Sequence, residues 1–176
     1  PYLKTSKAVM SVGKTDKKIS KTIDAVLHAI RTLEGMGRAY DALVLLQPTQ
    51  PLRTADDIDG AVERFYQNHC RPLASVCPVS NHPLLIRSIR EDGTLQQLLS
   101  QSSTCRRQDM PGFYAVNGCI YINAIRELTE ETSFNDNEIP YMMPEERSLD
   151  IDEPSDLLLA EFYMSKNQLG KHRAIP

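Results

Sequence analysis

Blocks of apolar residues along the chain follow two different spacings, and these predict helices and strands in alternation. The first block has a stripe at steps of three and four, formed by Ile19, Ile23, Val26, Leu27, Ile30 and Leu33. That spacing is typical of an amphipathic helix, and Gly35 and Gly37 are expected to end it. Residues 42–46 are a continuous apolar run, typical of a strand buried on both faces. A second helix is predicted from Thr54, where Asp57 completes a capping box.

The rest of the chain continues this alternation. Further elements are predicted as strands at residues 73–79, 118–123 and 141–143, a short helix at 124–130, and a last helix from Pro154 to about residue 167. Residues 81–116 differ, because they are polar and extended, with a hairpin signal at Asp92-Gly93. The pattern predicts one α/β domain over residues 1–176, with a mostly parallel sheet, helices on both faces, and residues 81–116 as a projecting arm.

The composition narrows the classes of function. Hydrophobic residues make up 41% of the chain and charged residues 24%, which is ordinary for a folded globular protein. The net charge of -3 leaves no basic field, so no nucleic-acid partner is expected. The apolar runs are too short to cross a bilayer, so no membrane partner is expected either. The 4 cysteines form no CxxC pair, which favours neither a zinc site nor a disulfide framework and indicates a reducing, cytoplasmic location.

The segment QPTQPLR, residues 47–53, is the first candidate for chemistry because it follows the first predicted strand. Open α/β sheets bind ligands at the carboxyl ends of their strands, and Pro48 and Pro51 restrict the backbone here. Gln47 can then be held at a fixed angle toward a ligand, and Arg53 offers a planar fork for phosphate or carboxylate. The alternative interpretation is a rigid turn whose polar groups only cap the next helix.

The segment SLDID, residues 148–152, is a candidate metal site. In extended backbone, residues two apart face the same side, roughly 6.5 Å from each other. Asp150 and Asp152 can therefore converge on one cation while Ile151 turns toward the core. Magnesium takes one or two protein carboxylates together with substrate phosphates and waters, so Mg²⁺ is the predicted ion. The alternative is that aspartates just before a helix serve as caps and as favourable charges for its dipole.

A third candidate combines RRQD at residues 106–109 with NGCIYI at residues 117–122. Adjacent arginines are commonly solvated surface residues, and Gly118 suits either a close ligand approach or a positive-φ turn. The sequence contains no P-loop and no GxGxxG motif, and no Ser-His-Asp set can be singled out. A functional interpretation therefore depends on these segments taken together.

Taken in order, the segments resemble the motifs of the acylneuraminate cytidylyltransferases, the CMP-sialic acid synthetases. That family carries QPTSPLR after a buried strand, RRQ followed by NGAIYI, and SxDIDxxxD before its last helix. Here the motifs read QPTQPLR, RRQDMPGFYAVNGCIYI and SLDIDEPSD, with an HHPL-like element present as NHPLL at residues 81–85. Four motifs in the same order are far more specific than any one of them.

The resemblance implies a Rossmann-like nucleotidyltransferase and a homodimer in which the extended stretch packs against the partner. It implies transfer of CMP from CTP to the anomeric hydroxyl of a nine-carbon 2-keto acid sugar, with release of pyrophosphate and with magnesium as cofactor. The site residues that it implies are Gln47 near substrate and nucleotide, Arg107, Asn117 and Tyr121 for the acylneuraminate, Phe134 offered to the partner, Thr22 near the nucleotide, and Asp150 and Asp152 for the metal. Arg53, proposed above for phosphate or carboxylate, is a further candidate for binding the substrate.

One departure from the family bears on activity. The family opens with a loop, RxGSKxxxxKN, that embraces the triphosphate, and no such motif occurs in these 176 residues. Because the backbone donors and cations of that loop normally neutralise the phosphates, we expect this chain alone to be inactive. Two alternatives stay open: a non-catalytic truncated paralogue that dimerises or binds nucleotide, and a cytidylyltransferase for another acid sugar such as legionaminate or Kdo.

Overall fold

The computed structural model describes residues 21–100 and 111–172, with side chains described up to residue 166. The helices in this part are α1 (Thr22–Gly35), α2 (Ala55–Gln67) and α3 (Pro154–His172). The strands are β1 (Ala42–Leu45), β2 (Leu73–Pro78), β3 (Arg87–Ile89), β4 (Leu95–Gln97), β5 (Tyr114–Ala124) and β6 (Ile139–Met142). The predicted α-helices and strands are confirmed at these positions, but β5 begins at Tyr114 rather than at Gly118. The short helix predicted after β5 is a single 3₁₀ turn, Ile125–Glu127.

The main sheet has its strands in the order β1-β5-β2-β6, and most of its pairings are antiparallel. β5 runs antiparallel to both β1 and β2, while β2 and β6 pair in parallel. The prediction of a mostly parallel sheet is therefore wrong. A parallel neighbour needs a crossover connection, usually a helix, over one face of the sheet. The described part of the connection from β2 to β5 holds a hairpin and a single 3₁₀ turn but no α-helix, so the chain returns in the opposite direction.

Helices cover both faces of this sheet, as predicted. α1 contributes Ile23 and Val26 to a cluster with Ala74 and Tyr121. α2 contributes to a second cluster, which contains Ala61, Phe65, Leu73, Cys119, Ile120, Ile122, Ala124, Ile139 and Met143. Successive strand residues point to opposite faces, and accordingly Leu73 and Ala74 of β2, like Tyr121 and Ile122 of β5, belong to different clusters. α1 and α2 therefore lie on opposite sides of the sheet.

The start of α2 confirms the predicted capping box. The backbone N–H of Asp57 donates to Oγ1 of Thr54 at 3.2 Å, and the N–H of Thr54 donates to Oδ2 of Asp57 at 2.8 Å. These bonds satisfy backbone donors that a helix amino terminus leaves without partners. They also hold the end of the 47–53 segment firmly against α2.

Strands β3 and β4 form a separate two-stranded hairpin within the predicted arm. Its turn at Asp92-Gly93 is confirmed: Gly93 has φ +80°, and Oδ1 of Asp92 accepts a hydrogen bond from the N–H of Thr94 at 2.9 Å. Residues 114–116, at the end of the stretch that the sequence marked as the arm, belong to β5. A dimer interface on this hairpin stays a prediction. Across residues 21–100 and 111–172, no helix combines the length and the apolar character that crossing a membrane requires.

Candidate functional site

The carboxyl ends of three strands meet at one edge of the main sheet. Because β1 and β2 both oppose β5, and β6 runs with β2, these three strands point the same way. Leu45, the last residue of β1, pairs with Tyr121 of β5. The β5 residues before Tyr121 therefore run past the end of β1, and this brings Gly118 to the side chains of Gln47 and Gln50.

The side chain of Arg53 stabilises the 47–53 segment through hydrogen bonds to its backbone. Its Nη1 atom donates to the carbonyl oxygen of Gln47 at 2.7 Å and to that of Gln50 at 2.6 Å. Burial lowers the pKa of the Arg53 guanidinium, although the nearby thiol of Cys119 acts in the opposite direction. The sequence suggested Arg53 as a ligand for the substrate, and the structure commits at least this nitrogen to shaping the loop.

Gly118 lets the side chain of Gln47 lie directly on the β5 backbone. The residue has φ +73°, and a Cβ on it would sit 2.6 Å from Oε1 of Gln47. Any larger residue would therefore have an unfavourable backbone conformation and would displace the Gln47 amide from its place. Of the two readings that the sequence left open for Gly118, the positive φ is found, together with a close approach by the protein's own glutamine.

The side chain of Asn117 joins the elements around the site. Its Oδ1 accepts hydrogen bonds from Oγ of Ser75 at 2.6 Å and from the N–H of Cys119 at 3.2 Å. Its Nδ2 donates to Oγ of Ser148 at 2.8 Å, and Ser148 in turn donates to the carbonyl of Pro144 at 2.8 Å. Sequence reasoning missed Ser75 and Ser148, although a serine inside the apolar strand LASVC was a usable signal.

The SLDID segment is bound to the 47–53 segment through its backbone. The N–H of Ile151 donates to the carbonyl of Thr49 at 2.9 Å. Asp150 and Asp152 are exposed on either side of Ile151, which is half-buried. Within the described residues, neither carboxylate is in a hydrogen bond or an ion pair.

The cap of α3 is made by a different aspartate. Oδ2 of Asp156 accepts hydrogen bonds from the N–H groups of Asp152 at 3.1 Å and Glu153 at 2.8 Å. The alternative in which Asp150 and Asp152 are themselves the caps is therefore not supported. Burial raises the pKa of the Tyr121 hydroxyl, and the negative charge of Asp150 raises it further.

Arg147 does not neutralise the two exposed aspartates, because it pairs with Asp57. Its Nε and Nη2 atoms donate to the two carboxylate oxygens of Asp57 at 2.9 Å and 2.8 Å. Burial alone raises the pKa of Asp57, but the hydrogen bonds from Arg147 and Thr54 outweigh it and hold that pKa below its ordinary value. The hydrogen bonds to Asp57 raise the pKa of Arg147. This pair links the start of α2 to the segment before Ser148.

Gln50 and Cys119 form a buried contact that the sequence did not suggest. The thiol of Cys119 lies 3.1 Å from Oε1 of Gln50 and, at 3.5 Å, within reach of the carbonyl of Arg147. Gln50 is completely buried, at 0% exposure. Among the described residues, its Nε2 atom has no hydrogen-bond partner.

The remaining predicted site residues lie in different surroundings. Tyr121 is buried and its hydroxyl donates to Oδ1 of Asn135 at 2.7 Å. Phe134 is only 8% exposed and packs on Tyr121 with ring centroids 5.8 Å apart, so in this chain it is a core residue. Thr22 is exposed in the first turn of α1. Arg107 lies outside the described residues.

The carboxylates near the site suit a metal ion that takes its remaining ligands from a bound substrate and from water. In the part of the chain that the structure describes, no three His, Cys, Asp or Glu side chains are grouped to hold an ion. Two exposed carboxylates with no partner there fit magnesium, which commonly takes one or two protein carboxylates and completes its shell with phosphate and water. Asp150 and Asp152 are thus suited to a metal that arrives with a phosphorylated ligand.

Comparison with known proteins identifies relatives that match most of the chain. It is 33% identical to a CMP-N,N'-diacetyllegionaminic acid synthase from Legionella pneumophila over 152 residues, which are 85% of this chain and 65% of the relative. It is 33% identical to an N-acylneuraminate cytidylyltransferase from Streptococcus agalactiae over 116 residues, 65% of this chain and 28% of the relative. It is 24% identical to a pseudaminic acid cytidylyltransferase from Campylobacter jejuni over 143 residues, 81% of this chain and 62% of the relative. No family model matches the chain.

These relatives confirm the resemblance that the motifs indicated. All three relatives, the synthase and the two cytidylyltransferases, match the larger part of this chain. The chain spans less than two thirds of the length of each of the three relatives, 65%, 28% and 62%. The activity of these relatives can therefore be assigned to this chain only by inference.

Proposed function

We propose that this chain, a homologue of the acylneuraminate cytidylyltransferases over most of its length, forms the acid-sugar and metal side of a cytidylyltransferase site. The reaction would join CMP from CTP to the anomeric hydroxyl of a nine-carbon 2-keto acid sugar and release pyrophosphate. Such reactions depend mainly on positioning and on neutralising phosphate charge, and less on covalent chemistry by the protein.

The observation that carries the proposal is the meeting of three motifs that lie far apart in the sequence. The backbone bond from Ile151 to Thr49 joins SLDID to QPTQPLR, and the side-chain bond from Asn117 to Ser148 joins NGCIYI to SLDID. Gln47 lies against Gly118 and so joins the first motif to the third. A rigid turn that served only to cap α2 would not require these links.

The polar groups at this edge suit the parts of such a reaction. The side-chain amide of Gln47 is half-buried and offers a donor to the sugar or the nucleotide. Arg107, which lies outside the described residues, is proposed for the carboxylate of the sugar, and Thr22 for the nucleotide. When bound, Mg²⁺ on Asp150 and Asp152 would supply positive charge for the phosphates. Tyr121 is buried between α1 and the site, and its hydroxyl already donates a hydrogen bond to Asn135.

We also propose a homodimer through the predicted arm, residues 81–116, whose described part contains the hairpin of β3 and β4. Large apolar side chains are exposed along this stretch: Leu85, Ile89, Leu95 and Leu98 have 57%, 76%, 65% and 58% of their surface exposed. Clusters of this kind on a soluble domain commonly mark a contact surface. Sedimentation of the chain at micromolar concentration distinguishes the expected dimer from a monomer.

Binding of an acidic sugar by the 176-residue chain tests the proposal. N-acetylneuraminic acid added to ¹⁵N-labelled protein is expected to shift the backbone NMR signals of Gln47, Gly118 and Ile151 first. Gln47→Ala should weaken binding at least fivefold, because it removes a donor to the sugar. N-acetylmannosamine, which lacks the carboxylate, is the matched control and should cause no comparable shifts. Absence of shifts at this edge with the acidic sugar would refute the proposal.

A transfer assay separates the enzyme from the alternative of a binding module. With CTP, Mg²⁺ and the acidic sugar, the chain alone is expected to form CMP-sugar at a negligible rate, because its sequence has no loop of the RxGSKxxxxKN type. Turnover at the rates usual for the relatives would contradict that expectation while establishing the activity. The identities to the legionaminic and the neuraminic relative are equal at 33%, so legionaminic acid belongs in the same assays as N-acetylneuraminic acid.

A further inference from the structure

An unpaired amide lies at the centre of the site. The side chain of Gln50 is fully buried, and its Oε1 accepts a hydrogen bond from the thiol of Cys119 at 3.1 Å. Its Nε2 has no partner within the residues that the structure describes. A buried donor without a partner is costly, and native proteins rarely leave one. An acceptor close to this nitrogen is therefore expected.

The side chain of Gln47 is in the right place to supply that acceptor. Measured from the position that a Cβ on Gly118 would take, Oε1 of Gln47 lies at 2.6 Å and Nε2 of Gln50 at 3.6 Å. The two amide groups thus share one small space above the glycine. Arg53 fixes the backbone of both residues, because its Nη1 donates hydrogen bonds to the carbonyls of Gln47 and Gln50.

We propose that Gln50 is a positioning residue, whose Nε2 donates to Oε1 of Gln47 and thereby turns the NH₂ group of Gln47 toward an acceptor oxygen of the sugar. The identity of this ligand rests on the proposed function. Gln47 then presents a donor rather than an acceptor, which is what an acidic sugar requires.

Cys119 sets the direction of this chain of hydrogen bonds. Burial raises the pKa of its thiol to about 12, so the thiol keeps its proton near neutral pH. The protonated thiol is a weak donor, and Oε1 of Gln50 accepts from it, which leaves the nitrogen of Gln50 on the side of Gln47. Residues 50 and 119 are also positions at which QPTQPLR and NGCIYI differ from QPTSPLR and NGAIYI, and in this fold they touch each other.

Three cysteine variants of the 176-residue chain test the inference. Cys119→Ala removes the donor to Gln50, Cys119→Ser keeps a donor of similar size, and Cys70→Ala makes the same change at a half-buried cysteine that packs on the core. We expect Cys119→Ala to weaken binding of N-acetylneuraminic acid at least fivefold, with Cys119→Ser and Cys70→Ala within about twofold of the wild type. Unchanged binding in Cys119→Ala, or equal losses in all three variants, would overturn the inference.

A second measurement is independent of sugar binding. In the proposed arrangement, the side-chain amide protons of Gln50 lie next to the Gln47 side chain and give nuclear Overhauser contacts to it. In the opposite orientation these protons face Cys119, and contacts to its Cβ protons would overturn the inference even if the sugar binds. Contacts to Gln47 in a protein that does not bind the sugar would support the hydrogen bond and refute the proposed function.

Discussion

Two polar segments meet at the same edge of the sheet and use their charged groups in opposite ways. In residues 47–57 two charged side chains are used inside the protein: Arg53 binds two carbonyls of its own loop, and Asp57 pairs with Arg147. In residues 148–152 the carboxylates of Asp150 and Asp152 face solvent and are in no hydrogen bond within the described residues. Groups satisfied inside the protein stabilise the site, whereas neighbouring carboxylates repel each other and stay available to a cation.

The largest effect is expected at the inward-facing pair. Asp57 is 4% exposed, caps α2 and accepts two hydrogen bonds from Arg147, which is itself partly exposed. Asp57→Ala should lower the free energy of unfolding by about 2–4 kcal/mol, because it removes the cap and leaves a half-buried cation without its partner. Urea unfolding measures this change. Asp56→Ala, an exposed aspartate one position earlier, should cost less than about 1 kcal/mol, and equal losses would contradict this account.

The same pair predicts how stability depends on pH. Because the pKa of Asp57 is held below its ordinary value, its contribution is complete above the unfolded-state pKa of about 4 and is lost as the pH falls through the folded-state pKa. The difference in unfolding free energy between the wild type and Asp57→Ala should therefore be widest near neutral pH and shrink below about pH 4. A difference that stays constant down to about pH 3 would show that the charge of Asp57 does not act in this way.

A smaller effect distinguishes the capping aspartate from the two exposed ones. Asp156→Ala should cost about 1 kcal/mol of unfolding free energy, because its carboxylate accepts the N–H groups of Asp152 and Glu153. Asp152→Asn should change stability by less than about 0.5 kcal/mol, as is usual for exposed positions. Thermal or urea unfolding of both variants makes the comparison. A loss in Asp152→Asn as large as that in Asp156→Ala would restore the capping interpretation for Asp152.

Local features of the fold followed from the sequence because their signals are local. Steps of three and four indicated α1, Thr54 and Asp57 indicated the start of α2, and Asp92-Gly93 indicated the hairpin turn. QPTQPLR and SLDID both follow strands that run in the same direction, and segments in that position are expected to meet at one edge of a sheet. The bond from Ile151 to Thr49 agrees with that expectation.

Long-range pairings did not follow from the sequence. The direction of β5 depends on the path of the preceding connection, and no periodicity within NGCIYI encodes it. Arg147 is close to Asp150 and Asp152 in sequence, but it binds Asp57, 90 positions away. The contact of Gln50 with Cys119 spans 69 positions and involves two residue types with no strong pattern of their own. Such contacts become visible only when the strands are assembled.

The location of a bound divalent metal tests the central claim, which is that Asp150 and Asp152 are the carboxylates that bind the metal at this edge of the sheet. Mn²⁺ takes the same kinds of oxygen ligand as Mg²⁺ and broadens the NMR signals of nearby amides. We predict that Mn²⁺ broadens the amide signals of Ile151, Thr49 and Tyr121 first and that excess Mg²⁺ restores them. The double variant with Asp150→Asn and Asp152→Asn should lose the effect, whereas Asp156→Ala should keep it. Broadening that is unchanged in the double variant, or centred on another part of the chain, would contradict the claim.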